Sequence, residues 1–238
     1  MKNIGIVWDF DGVLVFTPHE EAWRRAAKHY GVDDFDHEFY VQYVSGKPRY
    51  EGADNILMLK GVYDKFNAKT DEEKQKLLHE FAEFKNKIVN DMFENKEYEI
   101  NENAIAFLIQ AKEAGIKHAL ASASKNAAKL AKKIEVEYKG QKISLNELFD
   151  INVSGLAPNK KLVFEMALEK LKIKFPELRA FLVVEDAPTG VKAGKELGMI
   201  TLGYVREAKL DADLTFRDFS ELSLEKIVSL IESKGVRL

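Results

Sequence analysis

Cysteine is absent from this chain of 238 residues. That excludes disulfides, thiolate catalysis and cysteine-ligated metal centres. Proline is sparse, with five residues, and no proline-rich or glycine-serine linker interrupts the sequence. There is no internal repeat. No apolar run is long enough to span a bilayer, so no membrane partner is expected. Neither charge dominates: 36 basic against 39 acidic residues leave a net charge of −3. No basic surface for nucleic acid is therefore expected. The first residues run directly into an apolar strand rather than a leader pattern, and a cytoplasmic protein is expected. A glycine-rich phosphate loop of the G-x-x-x-x-G-K-[ST] form is also missing, which argues against an NTPase of that kind.

What is present is ordinary for a soluble protein in bulk, 46% hydrophobic and 32% charged, and unusual in one place. Ile4 to Trp8 reads as a buried strand and is followed at once by Asp9-Phe10-Asp11-Gly12-Val13. Two carboxylates one residue apart thus stand past the carboxyl end of a strand, where open α/β sheets bind ligands. Acids so close repel unless a cation or a shared proton relieves them. They suit a nucleophile and an acid–base partner around a hard metal ion. A bland turn rich in aspartate is the competing reading.

Thr17 to Tyr98 reads as helical throughout. Pro18 suits a helix start, and Ala22, Trp23, Ala26, Ala27 and Tyr30 recur at helical spacing. Leu77, Leu78, Phe81, Phe84, Ile88 and Met92 give the apolar stripe of a long helix from Asp71 to about Asn95. From Asn101 the pattern alternates. Strands are expected at Lys117–Ala121, Phe181–Val184 and Ile200–Val205, and helices at 104–114, 127–134, 161–171, 190–197 and 222–233. Glu135 to Leu145, with Lys139-Gly140 at its centre, reads as a hairpin, and a surface hairpin is favoured over a flap at the site. The expected fold is α/β: a doubly wound parallel sheet with an inserted α-helical cap. The expected domains are 1–16 with 99–238 for the core, and 17–98 for the cap.

Three strands end on polar residues that can converge: Asp9 with Asp11, Ser122 with Lys125 and Asn126, and Glu185 with Asp186. Lys160 or Lys161, near a helix start, adds a cation. Each group has a structural alternative. Ser122 suits a helix cap, Lys125 and Asn126 suit a solvated surface, and Glu185 and Asp186 suit the start of the helix after Pro188. Together they are what phosphoryl transfer needs: a carboxylate to attack phosphorus, and cations to spread the charge.

These segments carry a resemblance. Asp9-Phe10-Asp11-Gly12-Val13-Leu14, Ala119 to Asn126, a lysine ahead of the Phe164 helix, and Val184 to Val191 resemble, in order and spacing, the motifs of the haloacid dehalogenase superfamily. The chain is most similar to its β-phosphoglucomutase-like phosphatase branch, across essentially its whole length. The resemblance implies that Asp9 is a nucleophile forming an aspartyl-phosphate, and that Asp11 is the acid–base group. It implies Mg²⁺ on Asp9, the main-chain carbonyl of Asp11 and Asp186, with Glu185 in or near that shell. Ser122 and the Ala123 amide would bind phosphoryl oxygens, with Thr17, Lys125 and Asn126 among the substrate contacts. The third motif departs from the usual Lys-Pro-x-Pro-Asp. It reads Pro158-Asn159-Lys160-Lys161-Leu162, and Lys160 is preferred because Asn159 can cap a helix and place it in the first turn, with Lys161 as the fallback.

In the helical segment, Gly46-Lys47-Pro48-Arg49-Tyr50-Glu51-Gly52 resembles a loop of sugar-phosphate members, where Arg49 would hold an anion on the substrate. Its competing reading is a pairing of Arg49 with a carboxylate of the helical segment. Phe16-Thr17 stands where the family often has Asp-Thr, and His19 is out of the register of the histidine in mutase members. The expectation is a Mg²⁺-dependent phosphatase of a small phosphate ester, a sugar phosphate or similar. A sugar phosphomutase is the second reading, and a non-catalytic phosphometabolite-binding protein the third.

Overall fold

The computed structural model describes residues 1–206 and 208–238. Its backbone divides into two compact units, Met1–Phe16 with Glu99–Leu238, and Thr17–Tyr98. Along the chain the strands are β1 (Ile4–Trp8), β2 (Val15–Phe16), β3 (Glu99–Ile100), β4 (Lys117–Leu120), β5 (Glu135–Tyr138), β6 (Gln141–Ser144), β7 (Ile151–Asn152), β8 (Ala180–Glu185), β9 (Ile200–Tyr204) and β10 (Leu214–Phe216). The helices are α1 (His19–His29), α2 (His37–Tyr43), α3 (Arg49–Leu59), α4 (Val62–Lys65), α5 (Asp71–Glu94), α6 (Glu102–Glu113), α7 (Lys125–Lys133), α8 (Lys160–Lys174), α9 (Pro188–Glu196) and α10 (Leu224–Ser233). None of the described helices is long and apolar enough to cross a membrane.

The first unit is built on a six-stranded sheet in the order β10-β9-β8-β1-β4-β7. Its pairings are parallel. The sequence visits β4 on one side of β1 and later β8 on the other, so the strand order reverses at β1. Crevices form at the carboxyl ends of strands at such a reversal. Register sets what emerges there. Trp8 lies opposite Leu120 on one side and Val184 on the other. Asp9, the Ala121-Ser122 turn and Glu185 therefore leave the sheet along one edge.

Alternation along β1 divides the core. Val7 packs with Val163, Phe164, Ala167 and Leu171 of α8. Trp8 faces the other way, with its ring 6.3 Å from Phe107 of α6 and 6.0 Å from Phe219. Burial on both faces explains why β1 and β8 read as continuous apolar runs rather than alternating ones.

The second unit is helical, as its periodicity predicts. Trp23, Ala26 and Ala27 of α1 pack with Ile56 and Leu57 of α3 and with Leu77, Leu78, Phe81 and Ala82 of α5. A capping box fixes the start of α5: Thr70 accepts from the Glu73 amide, and Glu73 accepts from the Thr70 amide.

Several details depart from the sequence expectation. The edge strands β7 and β10, and the antiparallel pair β2–β3, were not anticipated. Two or three residues are too few for a periodic signal. Helix α7 begins two residues early because Ser124 caps it, accepting from the Asn126 amide. Arg49 to Gly52 is not loop but the first turn of α3, with Pro48 at its N-cap. Gly52 serves packing there rather than turning: a Cβ at Gly52 would lie 3.1 Å from a Val44 methyl. The 135–145 segment is an antiparallel hairpin, with Tyr138 opposite Gln141.

Candidate active site

Asp9 is 1% exposed and its carboxylate is divided in function. Oδ2 lies 2.5 Å from Nζ of Lys160. Oδ1 has no hydrogen-bond partner among the described residues. A buried carboxylate oxygen left unpaired is costly, so Oδ1 is suited to bind a cation or another ligand. Burial first, and then the Glu185 charge, raise the pKa of Asp9 well above the usual carboxylate range, against the pull of Lys160.

Lys160 is delivered by α8. Asn159 caps that helix, its Oδ1 accepting from the Leu162 amide at 3.0 Å. The cap leaves Lys160 as the first helical residue. Its ammonium bridges Asp9 and Glu185, the latter at 2.9 Å. Burial alone would lower the Lys160 pKa, but Asp9 and Glu185 outweigh it and hold the ammonium firmly charged. Lys161 points elsewhere and pairs with Glu196 at 2.8 Å.

Glu185 is fully buried at the end of β8. Its Oε1 accepts from the amides of Asp186 and Ala187, at 3.1 and 3.0 Å, and its Oε2 from Lys160. It thus ties the β8–α9 turn to the lysine. Burial is the main reason its pKa is pushed up to about 7. Asp186 follows, pushed up to about 6 by burial and then by Asp9. Two glycines make room for these acids. A Cβ at Gly12, which has φ of +83°, would fall 2.0 Å from Oδ2 of Asp186. A Cβ at Gly190 would fall 2.0 Å from Oε2 of Glu185.

Ser122 is buried in the turn after β4. It is not the helix cap, since Ser124 takes that role. Its Oγ instead donates to Oδ2 of Asp11 at 3.3 Å and accepts from the Ser124 amide at 3.1 Å. Ala123 is half-buried beside it, Lys125 is exposed at the start of α7, and Asn126 is buried. Asp9, Asp11, Ser122, Lys160, Glu185 and Asp186 are therefore joined at one edge of the sheet.

One oxygen each from Asp9, Glu185 and Asp186 lie within 4.8 Å of one another. Hard oxygen donors of this kind, with the unpaired Oδ1 of Asp9 among the same groups, fit Mg²⁺. The raised carboxylate pKa values come first from burial, and the repulsion among the three acids adds to it.

Two residues were missed by sequence reasoning. Arg206, just past β9, has Nη1 3.6 Å from Oδ2 of Asp186, and its guanidinium lies 4.5 Å over the Phe16 ring. Its position after the carboxyl end of a sheet strand was a usable signal. In the helical unit, Lys85 is buried in the apolar stripe of α5. Its Nζ is 3.3 Å from Nδ1 of His19 and 4.6 Å from the Trp23 ring centroid. A lysine one turn beyond Phe81, on a core-facing stripe, was the available sign.

Of the other expected residues in the helical unit, Thr17 precedes α1, and Arg49 opens α3. The Arg49 guanidinium donates to Oε1 of Glu83 and to Oδ1 of Asn86, each at 2.9 Å. The pairing with a carboxylate of its own unit is thus present.

Comparison with known proteins follows the same lines. Residues 5–198 match the family model described as haloacid dehalogenase-like hydrolase. A curated β-phosphoglucomutase of Bacillus subtilis strain 168 is 29% identical, over 98% of this chain and 97% of that one. Among solved structures, an archaeal β-phosphoglucomutase from the hyperthermophilic Pyrococcus sp. strain ST 04 is 60% identical with a TM-score of 0.87, covering 97% of this chain and 99% of that one. The β-phosphoglucomutase of Clostridium difficile is 25% identical with a TM-score of 0.75, over 98% and 99% of the two chains.

Proposed function

The chain belongs to the haloacid dehalogenase-like hydrolase family, and on that premise we propose that it is a Mg²⁺-dependent sugar phosphomutase of the β-phosphoglucomutase type. The observation that carries the chemistry is the divided carboxylate of Asp9, with one oxygen anchored to Lys160 and the other unpaired. The 60% identity to the archaeal β-phosphoglucomutase, along nearly the full length of both chains, supports the mutase choice.

In this reading the Asp9 carboxylate attacks phosphorus of a phosphate ester. The P–O bond to the sugar breaks, and Asp11 gives its proton to the leaving oxygen. Asp9 is then an aspartyl-phosphate. Asp11, now a carboxylate, takes a proton from a sugar hydroxyl, which attacks phosphorus and restores Asp9. Ser122 orients Asp11, and with the Ala123 amide it binds phosphoryl oxygens. Lys160 stabilises the charge on the transferring group. Asp9, the Asp11 carbonyl and Asp186, with Glu185 beside them, would hold Mg²⁺, whose charge offsets that of the phosphoryl oxygens. Arg49 binds an anion at the substrate's far end, with Thr17, Lys125 and Asn126 as further substrate contacts.

Hydrolysis by the same intermediate is the second reading, with water in place of the sugar hydroxyl. It is favoured by Phe16, which stands where the family often has aspartate, and by the spacing of His19, which places the phosphatase first on sequence alone. The deciding experiment supplies β-glucose 1-phosphate, Mg²⁺ and a trace of a phosphate donor to charge Asp9. Glucose 6-phosphate as product supports the mutase; stoichiometric inorganic phosphate supports the phosphatase and overturns the mutase.

A further inference from the structure

The polar network that joins α3 to α5 lies wholly within the helical unit. Helix α5 presents His79, Glu83 and Asn86 at spacings of four and three residues, hence on one face. Helix α3 meets that face with its first two residues. The two terminal nitrogens of Arg49 are both engaged, Nη1 by Glu83 and Nη2 by Asn86, each at 2.9 Å. Tyr50 reinforces the arrangement: its hydroxyl donates to the same Glu83 oxygen at 3.3 Å and contacts Nδ1 of His79 at 3.2 Å. The Tyr50 and His79 rings stack with centroids 6.0 Å apart and planes within 10°.

A guanidinium fork held by a carboxylate on one prong and an amide oxygen on the other is shaped as it would be for an external anion. The surroundings favour an anion too. Among the described residues no side chain caps α3, whose first turn carries one acid, Glu51, so its free amides add to the positive potential around Arg49. The neighbouring cation, Lys47, is likewise held by an acid of this turn, Glu51, at 3.0 Å. Both cations at the start of α3 therefore rest against internal carboxylates.

We propose that Glu83 is a specificity-determining residue: it occupies Arg49 as a resident anion, which the remote group of a substrate must displace. The proposal rests on the reading of Arg49 as an anion-binding residue and deepens it. The Arg49 and Glu83 side chains are 28% and 43% exposed. An ion pair this open holds its partners weakly. A phosphate, with close to two charges and three oxygens, displaces the carboxylate. A hydroxyl or a single carboxylate does not. Glu83 thus sets how strong an anion the far end must carry to reach Arg49, and favours a phosphate over a single carboxylate.

The test is equilibrium binding in the Asp9→Asn background, in which turnover is blocked, with Mg²⁺ present. Titration calorimetry compares glucose 1,6-bisphosphate with glucuronic acid 1-phosphate, whose far end is a single carboxylate, for the background protein and for added Glu83→Gln and Arg49→Ala. The carboxylate-ended ligand should gain more affinity than the bisphosphate in Glu83→Gln. Glutamine keeps the length of the side chain and an acceptor for Tyr50 and Arg49, but removes the charge. The expected result is bisphosphate binding about two- to fivefold tighter in Glu83→Gln, the converse of a weak exposed pair, and weaker in Arg49→Ala. Unchanged or weaker bisphosphate binding in Glu83→Gln overturns the proposal. In that case Glu83 only pins α3 to α5, and a lowered unfolding temperature accompanies the loss. If Arg49→Ala leaves bisphosphate affinity unchanged, the Arg49 reading has failed and the Glu83 proposal falls with it. If Arg49→Ala weakens binding while Glu83→Gln does nothing, the Glu83 proposal alone is wrong.

Discussion

The indole N–H of Trp8 donates to Nδ1 of His118 across 3.0 Å in the interior of the sheet. The bond fixes the tautomer, since an accepting Nδ1 places the ring proton on Nε2. Burial, followed by the charges of Lys112 and Lys117, pushes the His118 pKa down to about 3 from an ordinary 6.5. The folded protein therefore holds this histidine neutral over a range in which the unfolded chain protonates it. Its contribution to stability is complete above the unfolded value. It is lost as pH falls from about 6.5 towards about 3, by an amount approaching ~4 kcal/mol at the bottom of that window. His118→Gln keeps an acceptor for Trp8 and removes the titration. Urea unfolding between pH 7 and pH 4 should give a shallower acid loss of stability for the variant. Parallel curves would show that His118 is not the titrating group.

Lys160 and Lys161 are adjacent in sequence and opposite in consequence. Lys160 bridges two buried carboxylates, whereas Lys161 makes an exposed pair with Glu196. Lys160→Met should lower kcat/KM at least about a hundredfold, as the loss of a preorganised charge at the reacting group does. Lys161→Met should stay within about twofold, as exposed ion pairs contribute little. Equal effects of the two substitutions would contradict the assignment.

How much of this was legible beforehand depended on the length of the signal. The Asp9-Phe10-Asp11 motif, the long α5 stripe and the apolar run of β8 are strong patterns, and each appears in the expected place. The weak points were local. Phe16 in β2 and Ile151 in β7 belong to strands of two residues, which leave no period to read. Nothing in the sequence marks a partner for Lys85 within that stripe, because only the fold brings His19 and Trp23 to it. The third motif was ambiguous in register. What distinguishes Lys160 from Lys161 is the Asn159 cap, which sets the phase of α8 so that only the first lysine faces Asp9.

Asp186 is the simplest probe of the proposed metal site. Its carboxylate lies in a cluster with Asp9 and Glu185, and its raised pKa reflects burial and the charge of Asp9. Asp186→Ala removes one anionic ligand from a site with few. The Mg²⁺ concentration for half-maximal rate should rise by about tenfold or more. The metal-free protein should unfold at the same temperature or above it, because the substitution also removes buried like charge. A Mg²⁺ titration superimposable on that of the unsubstituted protein would exclude Asp186 from the metal site.

Asp11 tests the order of the chemical steps. Its carboxylate is held by the Ser122 hydroxyl at 3.3 Å, two residues beyond Asp9 on the same turn. Asparagine at this position keeps the shape and an acceptor for Ser122 but can neither give nor take a proton. With an alkyl phosphate the departing oxygen needs a proton, so formation of the aspartyl-phosphate should slow by about a hundredfold to ten-thousandfold, the usual range for a lost general acid. With p-nitrophenyl phosphate the departing phenolate needs little help. The first step should then survive, while the second, which requires Asp11 to accept a proton from the attacking hydroxyl, should not. The aspartyl-phosphate should accumulate in Asp11→Asn, seen as a burst of p-nitrophenolate close to one equivalent of enzyme followed by slow turnover. Ser122→Ala should show the same pattern in weaker form, since it frees Asp11 without removing it. A variant that slows both substrates equally, with no burst, would mean that Asp11 supports the turn rather than the proton transfer. An unchanged rate with alkyl phosphates would move the acid–base role to another group.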